Sequence, residues 1–327
     1  MKNNSLLIIM VVVSLVFCIT SVNTEAAKEF TFAITMEDTG VDRELTQRFK
    51  EKVAELSNGT MQINLFMSGV LGDTRELMEQ MKMGEVDLGY YAEFGQLYYP
   101  EYDATTIPFL WPGQEEIEEY FAGPAGEIAK KAVRDEGGAI LLGAMHSYGS
   151  RWMSSNKPVR TAEDFDGIKM RMPNISWWIE VWKEVGVSPT PISSAEIFSA
   201  LNTGVVEAQE NYLSNIYGRK LWEVQDYLIA TEHIDFYQMW ACSEKTWNSL
   251  TNEEQEILVK AANDAVEYVQ PQIEEMNNGF IEELKENGME VIYPDKESLR
   301  KAAEPAIRKI MEDDLAPEAI EAIEKYL

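Results

Sequence analysis

The sequence is poor in the residues that build disulfides and metal sites. It has two cysteines and two histidines in 327 residues. If an export signal is removed after Ala26, only Cys242 remains, so the mature chain cannot form an internal disulfide. Neither His146 nor His233 stands at a metal-binding spacing or beside a cysteine pair. We therefore expect no metal and no cofactor, and we expect Cys242 to be a buried structural residue.

Positive charge is also scarce. Lysine and arginine together number 28 against 56 aspartates and glutamates, which gives a formal net charge of −28. Nucleic-acid binding depends on neutralising phosphates with basic residues, so this composition excludes a nucleic-acid partner. The acidic surface does not prevent the binding of an anion, because exposed charges more than about 8 Å away are screened at physiological salt while arginines in direct contact are not.

Long hydrophobic runs are absent except at the start of the chain. Lys2 precedes an apolar run from Leu6 to Phe17, and small residues around Ala26 complete the pattern of an export signal over residues 1–26. The run is shorter than the roughly 20 residues of a membrane helix, so we expect a periplasmic protein that is free of the bilayer. The bulky residues before Cys18 argue against a lipid anchor there.

Strand and helix patterns alternate at short spacing in two successive stretches. The first stretch predicts strands at residues 29–34, 61–67 and 86–90 and amphipathic helices at residues 45–56 and 74–83. After Gly149 the alternation restarts with strands at 168–172 and 205–209, a helix at 175–184 and a capping box at 193–196 that opens a short helix. The pattern predicts two α/β domains with largely parallel sheets covered by helices on both faces.

A third pattern is a long helix that begins at the capping box of Thr251 and continues to about Glu286, with a kink at Pro271. At 1.5 Å per residue it would measure about 50 Å, so we expect it to lie across both domains. No flexible linker is present, so we expect the chain to cross between the domains more than once. The predicted boundaries are 27–148 plus about 236–275 for domain I and 149–235 plus about 276–327 for domain II.

Two arginines, Arg151 and Arg171, suggest a site for a small acid. Arginine presents a rigid fork of donors that matches the two oxygens of a carboxylate. Arg171 stands at the carboxyl end of a predicted strand, where open α/β sheets bind ligands, and Asn174 follows just before a predicted helix. The alternative is that Arg171 pairs with a surface acid and that Asn174 only caps the helix.

Two further residues are candidates for ligand contacts. Asn211 follows the predicted strand 205–209 and could bind a hydroxyl beside the carboxylate, or it could be a turn residue. Among several aromatic residues in these segments we predict that Trp177 faces the cleft, although aromatics at helical spacing are more often core.

Catalytic patterns are weak. The segment Met145 to Gly149 resembles the nucleophile elbow of esterases, but Met145 stands where the first glycine is required. His146 and Ser147 are adjacent, so on a strand they point to opposite faces and do not readily form a nucleophile–base pair. We therefore expect that the protein is not an enzyme, and a hydrolase using this pair remains an alternative.

Several motifs resemble, in order and spacing, the extracytoplasmic solute-binding proteins of tripartite ATP-independent periplasmic (TRAP) transporters, of the dicarboxylate-binding type. They are Ser68 to Glu79, Gly84 to Leu88, Ile107 to Leu110, Pro158 to Pro173, Gly186 to Pro191 and Gly204 to Asn211. The resemblance covers nearly the whole mature chain. It implies a two-domain fold of the periplasmic-binding-protein kind, with a ligand cleft between the domains and a long helix spanning both.

The resemblance also implies roles for individual residues. Arg171 matches the arginine that clamps the substrate carboxylate, Arg151 matches a second arginine, and Asn211 matches the asparagine after the strand. Glu93 falls close to an acid that contacts polar groups of the ligand, and Glu37 is similar in position to a ligand-contacting acid of ectoine-binding members. Four residues depart from the family pattern, so the resemblance does not predict the far wall of the pocket or the identity of the ligand: Phe198, Glu207, Ala208 and Tyr212.

Together these features predict a receptor that binds an organic acid, closes by hinge motion and delivers the acid to integral membrane TRAP subunits. A sugar acid and a C4-dicarboxylate both remain open as ligands. We expect a monomer. A sensory partner that uses the same cleft to dock on a receptor is a further alternative.

Overall fold

The computed structural model describes residues 26–36, 40–91 and 99–327. The predicted export signal up to residue 25 and two predicted site residues, Glu37 and Glu93, lie outside the described residues. Within the described ranges, no helix combines the length and the apolar character needed to cross a membrane.

The described strands form two mixed sheets. The strands are β1 Lys28–Ala33, β2 Met61–Phe66, β3 Leu88–Tyr91, β4 Ala139–Ser150, β5 Trp152–Ser155, β6 Lys169–Met172, β7 Ser188–Pro191, β8 Ala208–Asn211, β9 Tyr227–Ile229, β10 Asp235–Ser243 and β11 Glu290–Ile292. The first sheet has the order β2-β1-β3-β10-β4 and the second has the order β11-β9-β5-β8-β6-β7. The predicted α/β class is confirmed.

The helices between these strands follow the apolar periodicity of the sequence. They are α1 Gly40–Leu56, α2 Thr74–Met83, α3 Pro100–Asp103, α4 Gln114–Ala122, α5 Pro124–Gly137, α6 Ser176–Val185, α7 Ile197–Asn202, α8 Leu213–Gly218, α9 Glu244–Ser249, α10 Asn252–Glu286, α11 Lys296–Asp314 and α12 Pro317–Glu324. Leu45, Phe49 and Val53, spaced by four residues on α1, are buried as one face. A capping box at Asp73 starts α2, and Gly84 ends it with φ 72°.

Each sheet contains one strand that runs against its neighbours, which the sequence did not predict. β10 is antiparallel to β3 and β4, and β5 is antiparallel to β8 and β9. The reason is the path of the chain. β4 leaves the first sheet at the carboxyl edge of its parallel strands, and after Arg151 alone the chain enters the second sheet as β5. A strand that enters at the carboxyl edge must run opposite to the strands that end there.

The return crossing has the same geometry. β9 ends at the carboxyl edge of the second sheet, and the chain re-enters the first sheet as β10. Both crossings therefore join the carboxyl edges of the two sheets, and these edges face one another. Parallel α/β sheets bind their ligands at carboxyl edges, so the topology forms a cleft where a ligand is expected.

The long helix α10 packs on α1 and β4 and, further along, on α8. It extends from Asn252 to Glu286 and contains Pro271, and its capping box at Thr251 is formed as predicted. Since α1 and α8 belong to opposite halves of the molecule, the helix spans both. Cys242 is buried on β10 beneath this helix, and burial raises the pKa of its thiol. The residue boundaries of the two domains stay a prediction.

Candidate functional site

The carboxyl edge of the second sheet brings three predicted site residues together. Arg171 on β6 pairs in register with Gln209 on β8, and Trp152 on β5 pairs with Asn211 at the end of β8. Arg151 precedes Trp152 directly. Arg151 just before β5, Arg171 on β6 and Asn211 on β8 therefore lie at one edge of three adjacent strands, and all three residues are buried.

Arg171 is a buried cation without an acidic partner among the described residues. Only 4% of the residue is exposed, and its Nε donates to the carbonyl oxygen of Ile192 at 2.8 Å. Burial, together with nearby positive charges, lowers the pKa of Arg171 to about 10 against the attraction of Glu210. Arg171 stays protonated near neutral pH. Its outer donors are thus available to an anion, and the surface ion pair considered from the sequence is not formed in the described part of the chain.

Arg151 has a different environment, because it forms a buried ion pair with Glu210. Its Nε lies 2.5 Å from Glu210 Oε2 and its Nη2 lies 3.0 Å from Glu210 Oε1. Burial favours the neutral forms of both groups. Their mutual attraction outweighs burial, so the pKa of Arg151 is raised and that of Glu210 is held well below its usual range. The bidentate contact fixes the guanidinium at the start of β5.

His233 supports this ion pair from the return crossing. Its Nε2 lies 3.1 Å from Glu210 Oε2 and its Nδ1 lies 2.9 Å from Thr231 Oγ1. A carboxylate only accepts, so Nε2 carries the proton and Nδ1 accepts from the threonine hydroxyl. Burial lowers the pKa of His233 in spite of the contact with Glu210, so the ring is neutral at neutral pH. Arg151 and Glu210 cancel in charge, and Arg171 leaves one positive charge without a partner.

Aromatic side chains cover Arg151. Its guanidinium carbon lies 4.5 Å from the ring centre of Tyr212 and 5.0 Å from that of Trp178. The indole N–H of Trp177, by contrast, donates to Asp314 of α11 at 2.8 Å. The structure therefore places Trp178 against the arginine of this site and directs Trp177 toward the α6–α11 contact.

The two predicted asparagines differ in their surroundings. Asn211 is buried, and its side-chain oxygen accepts from the Tyr212 backbone N–H at 3.1 Å and from Asn215 Nδ2 at 3.0 Å. These bonds hold the start of α8 and leave the amide donors of Asn211 for a ligand. Asn174 is exposed, and the residue at the cap of α6 is Ile175, which makes no side-chain capping bond.

The carboxyl edge of the first sheet is polar and aromatic. Tyr148 on β4 donates to Asp42 Oδ1 at 2.5 Å, and its ring lies 5.4 Å from that of Tyr212 across the cleft. Burial raises the pKa of Asp42 to about 6, although the bond from Tyr148 opposes the rise. Tyr90 and His146 pack beside Tyr148, and burial lowers the pKa of His146 to about 3. His146 is therefore neutral near pH 6, whereas Asp42 is about half ionised there.

The hydrolase alternative finds no support in the contacts of its two residues. Ser147 Oγ accepts from the Gly149 backbone N–H at 2.9 Å. His146 Nδ1 accepts from Trp240 Nε1 at 3.2 Å. The two side chains do not bond to one another, as expected for adjacent residues on a strand. In the described ranges, no group of three or more His, Cys, Asp and Glu side chains could hold a metal ion.

Three residues of this site were missed in the sequence analysis. Glu210 lies inside a motif that was noted, but a glutamate in an acidic chain carries no signal of burial. Trp178 is adjacent to Trp177, and one residue of error on a helix turns a side chain by about 100°. His233 could have been found only from its proximity to Glu210, which requires the fold.

Two sheets whose carboxyl edges face each other, with a buried and unpaired cation at one edge, define a ligand-binding protein for anions. The chain belongs to the family described as bacterial extracellular solute-binding protein, family 7 (DctP), whose model matches residues 32–314. Members of this family are solute-binding proteins of TRAP transporters.

Individual proteins of known ligand are similar to this chain. The sialic acid-binding periplasmic protein SiaP of Vibrio cholerae is 31% identical over 261 residues, which cover 79% of this chain and 81% of that protein. A TRAP solute-binding protein of Roseobacter denitrificans with bound L-galactonate has a TM-score of 0.79 at 26% identity, with 92% and 99% of the two chains covered. Another from Sulfitobacter sp. with bound β-D-galacturonate has a TM-score of 0.81 at 25% identity, with 91% and 99% covered.

Proposed function

We propose that this protein captures a small organic acid in the cleft and delivers it to the membrane subunits of a TRAP transporter. The observation that carries the proposal is Arg171, a buried guanidinium with no carboxylate partner among the described residues. A buried charge is costly unless it is paired, so the folded protein holds a site that an anion completes. The protein itself would do no chemistry.

The residues of the site would contact different parts of the ligand. Arg171 would bind the carboxylate through its outer donors, and the Asn211 amide would donate to the same group or to a neighbouring hydroxyl. Arg151, held by Glu210, would direct its remaining donors to the ligand and support the wall of the pocket. Glu37 and Glu93 are proposed from the family resemblance to contact the polar part of the ligand.

Two of the candidate residues are less well placed for contact. Trp177 donates its indole N–H to Asp314, and Asn174 is exposed. A hydrogen bond from the Trp177 indole to the ligand would have to replace the bond to Asp314.

A hydroxylated acid is the proposed ligand class. Relatives are named for, or hold, sialic acid, L-galactonate and β-D-galacturonate, each of which combines a carboxylate with several hydroxyls. The carboxyl edge of the first sheet offers tyrosine hydroxyls and the Asp42 carboxyl, which suit neutral hydroxyls better than a second formal charge.

Thermal unfolding tests directly whether the site binds an acid. Residues 27–327 would be unfolded with and without a panel of sugar acids and C4-dicarboxylates. A ligand at 100 times its Kd should stabilise the protein by about 2.7 kcal/mol. We expect this shift to be lost in Arg171→Ala and kept in Arg160→Gln, an exposed arginine that pairs with Glu290. If Arg171→Ala responds as strongly as the parent, the carboxylate assignment is wrong.

A second experiment separates transport from sensing. The ligand-bound protein would be offered to purified TRAP membrane subunits in vesicles, with uptake of labelled acid as the readout. Uptake that depends on this protein supports delivery to a transporter. Binding of the acid without uptake, and capture of a sensory receptor instead, would favour the alternative.

A further inference from the structure

Gln209 on β8 carries a buried oxygen that has no donor. None of the residue is exposed, and its Oε1 makes no hydrogen bond within the residues that the structure describes. A buried acceptor without a donor is costly, so native proteins seldom keep one without a function for it. A donor close to this oxygen would therefore gain a strong hydrogen bond by moving to it.

A chain of buried hydrogen bonds fixes the orientation of this amide. Gln225 Nε2 donates to the carbonyl oxygens of Glu207 and Val224, both at 3.2 Å. A carbonyl only accepts, so Gln225 turns its oxygen to the Ser154 hydroxyl, which donates to it at 3.1 Å. Ser154 Oγ can then accept from Gln209 Nε2, which lies 2.8 Å away. The atom of Gln209 that remains free is therefore its oxygen.

The register of the second sheet brings this oxygen beside Arg171. Gln209 is the direct partner of Ser154 on β5 and of Arg171 on β6, so the three side chains lie on one face of the sheet. Neighbouring strands are only about 4.8 Å apart. The amide nitrogen of Gln209 is directed to β5, which leaves its oxygen on the side of β6. Glu210 points to the opposite face, where it pairs with Arg151.

The outer nitrogens of Arg171 are the donors within reach of that oxygen. Its Nε is bound to the Ile192 carbonyl at 2.8 Å, and in the described part of the chain the Nη atoms have no acceptor. A carboxylate bound side by side takes two of the four outer N–H groups, so two remain for the protein. Arg171 can therefore bind an acid and donate to Gln209 at the same time.

Asn211 places Gln209 beneath the position proposed for the carboxylate. It stands two residues further along β8, so its side chain lies on the same face as Gln209 and Arg171. Asn211 uses its side-chain oxygen within the protein and keeps its amide donors for a ligand. Gln209 lies one step deeper in the sheet and is fully buried. It therefore acts on a ligand only through Arg171.

We propose that Gln209 is a positioning residue for Arg171. Its side-chain oxygen accepts from an Nη of the guanidinium when an acid is bound, and this bond holds the plane of the donor fork toward the carboxylate. A guanidinium fixed only at Nε can still turn, and the second acceptor removes this freedom before the ligand has to. The inference rests on the proposed role of Arg171 and adds a residue that sets the affinity without touching the ligand.

The first test is calorimetry on a small set of variants of residues 27–327. L-galactonate, D-galacturonate, sialic acid and succinate would be titrated into the wild type, and the tightest of these four acids would be used throughout. The variants are Gln209→Met, Arg171→Gln, the double variant of both, and Gln225→Met as a control that breaks the same buried chain at its far end. Circular dichroism melting would confirm that each variant is folded.

We expect Gln209→Met to weaken the acid about tenfold, which corresponds to about 1.4 kcal/mol and is typical of a hydrogen bond to a charged group. Gln225→Met should change the Kd by less than about threefold, because the Ser154 hydroxyl can still accept from Gln209. In the Arg171→Gln background, Gln209→Met should have no further effect, since the group that it positions is gone.

A second variant, Gln209→Glu, gives a readout that a purely structural change would not alter. Without ligand the introduced carboxylate pairs with Arg171, which lowers its pKa. With an acid on Arg171 it lies buried beside a second carboxylate, which raises its pKa. Binding should therefore take up a proton, and the ratio of its Kd to that of the wild type should rise between pH 5 and pH 7, by up to about tenfold per pH unit.

Three results overturn the inference and leave the proposed function intact. They are wild-type affinity in Gln209→Met, an equal loss in Gln225→Met, and a Kd ratio for Gln209→Glu that is constant with pH. If the Gln209 variants do not fold, a crystal structure of the wild type with the acid decides. An Nη of Arg171 within about 3.2 Å of Gln209 Oε1 supports the inference, and a longer distance overturns it. If none of the four acids binds to the folded wild type, the proposed function fails and the inference fails with it.

Discussion

The two carboxyl edges that form the cleft differ in how they treat charge. The edge of the second sheet holds Arg151, Arg171 and Glu210, all buried. The edge of the first sheet holds Tyr90 and Tyr148, whose hydroxyls are neutral, and Asp42, whose pKa is raised to about 6. One edge is therefore suited to bind a carboxylate, and the other to contact the uncharged remainder of a ligand.

The difference separates affinity from selectivity. A fully desolvated charge contact contributes most of the binding free energy, whereas hydroxyl contacts discriminate among ligands that share the charge. Proteins that share the arginine edge can therefore bind different acids through a different opposite wall.

The largest expected effect is on stability, at Glu210. Glu210→Gln leaves the Arg151 charge buried without its partner and should lower the free energy of unfolding by about 3–5 kcal/mol. Urea unfolding measures this change. Glu290→Gln, which breaks the exposed pair with Arg160, is the matched control and should cost no more than about 1 kcal/mol. Equal costs for the two variants would contradict a special role for the buried pair.

The next effect is on binding, at Arg171. Replacing it with glutamine should weaken the best acid by about 2–5 kcal/mol, because the carboxylate loses a desolvated charge partner. Arg171→Lys keeps the charge but lacks the planar fork, so it should bind with intermediate affinity. Calorimetry with one acid and all three proteins gives the order. A lysine variant that binds as weakly as the glutamine variant would mean that geometry matters and charge does not.

A smaller effect is expected in the pH dependence of stability, through Asp42. Its folded pKa, about 6, is raised from 3.8, so the native state favours the protonated form. This contribution is fully present below about pH 4 and is lost as the pH rises through 6. Asp42→Asn cannot ionise. The free energy of unfolding of this variant should therefore rise relative to that of the wild type between pH 4 and pH 7. Because Asp42 is partly exposed, we expect a rise on the order of 1 kcal/mol.

Unfolding curves of both proteins from pH 4 to pH 8 measure this gain. Asp313→Asn, at an exposed position on α11, serves as a control that should show no such change over the same range. A stability difference between Asp42→Asn and the wild type that stays constant with pH would show that Asp42 does not titrate where its burial requires.

The smallest effect is expected at Tyr148. Phenylalanine there removes the hydrogen bond to Asp42 and keeps the ring contact with Tyr212. We expect a loss of about 1 kcal/mol in stability and little change in the affinity for the carboxylate. If Tyr148→Phe weakened the binding of every acid as much as Arg171→Gln does, the separation of the two edges would be wrong.

The sequence predicted those elements of the fold that depend on the local spacing of apolar and capping residues. The predicted helix 74–83 matches α2, and the predicted long helix ends at Glu286 as α10 does. The antiparallel strands β5 and β10 were missed because direction within a sheet depends on the path of the chain between the two halves. The capping box predicted at 193–196 is not formed. A short 3-10 turn follows Ser193 before α7, and the Ser193 hydroxyl donates to the Glu196 carboxylate instead of accepting from a backbone N–H.

The site was predictable to a similar extent. The convergence of Arg151, Arg171 and Asn211 follows from the strand ends and from the family resemblance. The different environments of the two arginines could not be predicted in this way, because the pairing of Arg151 with Glu210 depends on the register between β5 and β8.

The most direct test of the central claim is a crystal structure of the protein with a bound acid. We predict carboxylate oxygens at about 2.7–2.9 Å from the Nη atoms of Arg171, with Arg151 still paired to Glu210. A ligand whose carboxylate lies elsewhere in the cleft, or an Arg171 that turns to pair with an acidic side chain of the protein, would contradict the claim.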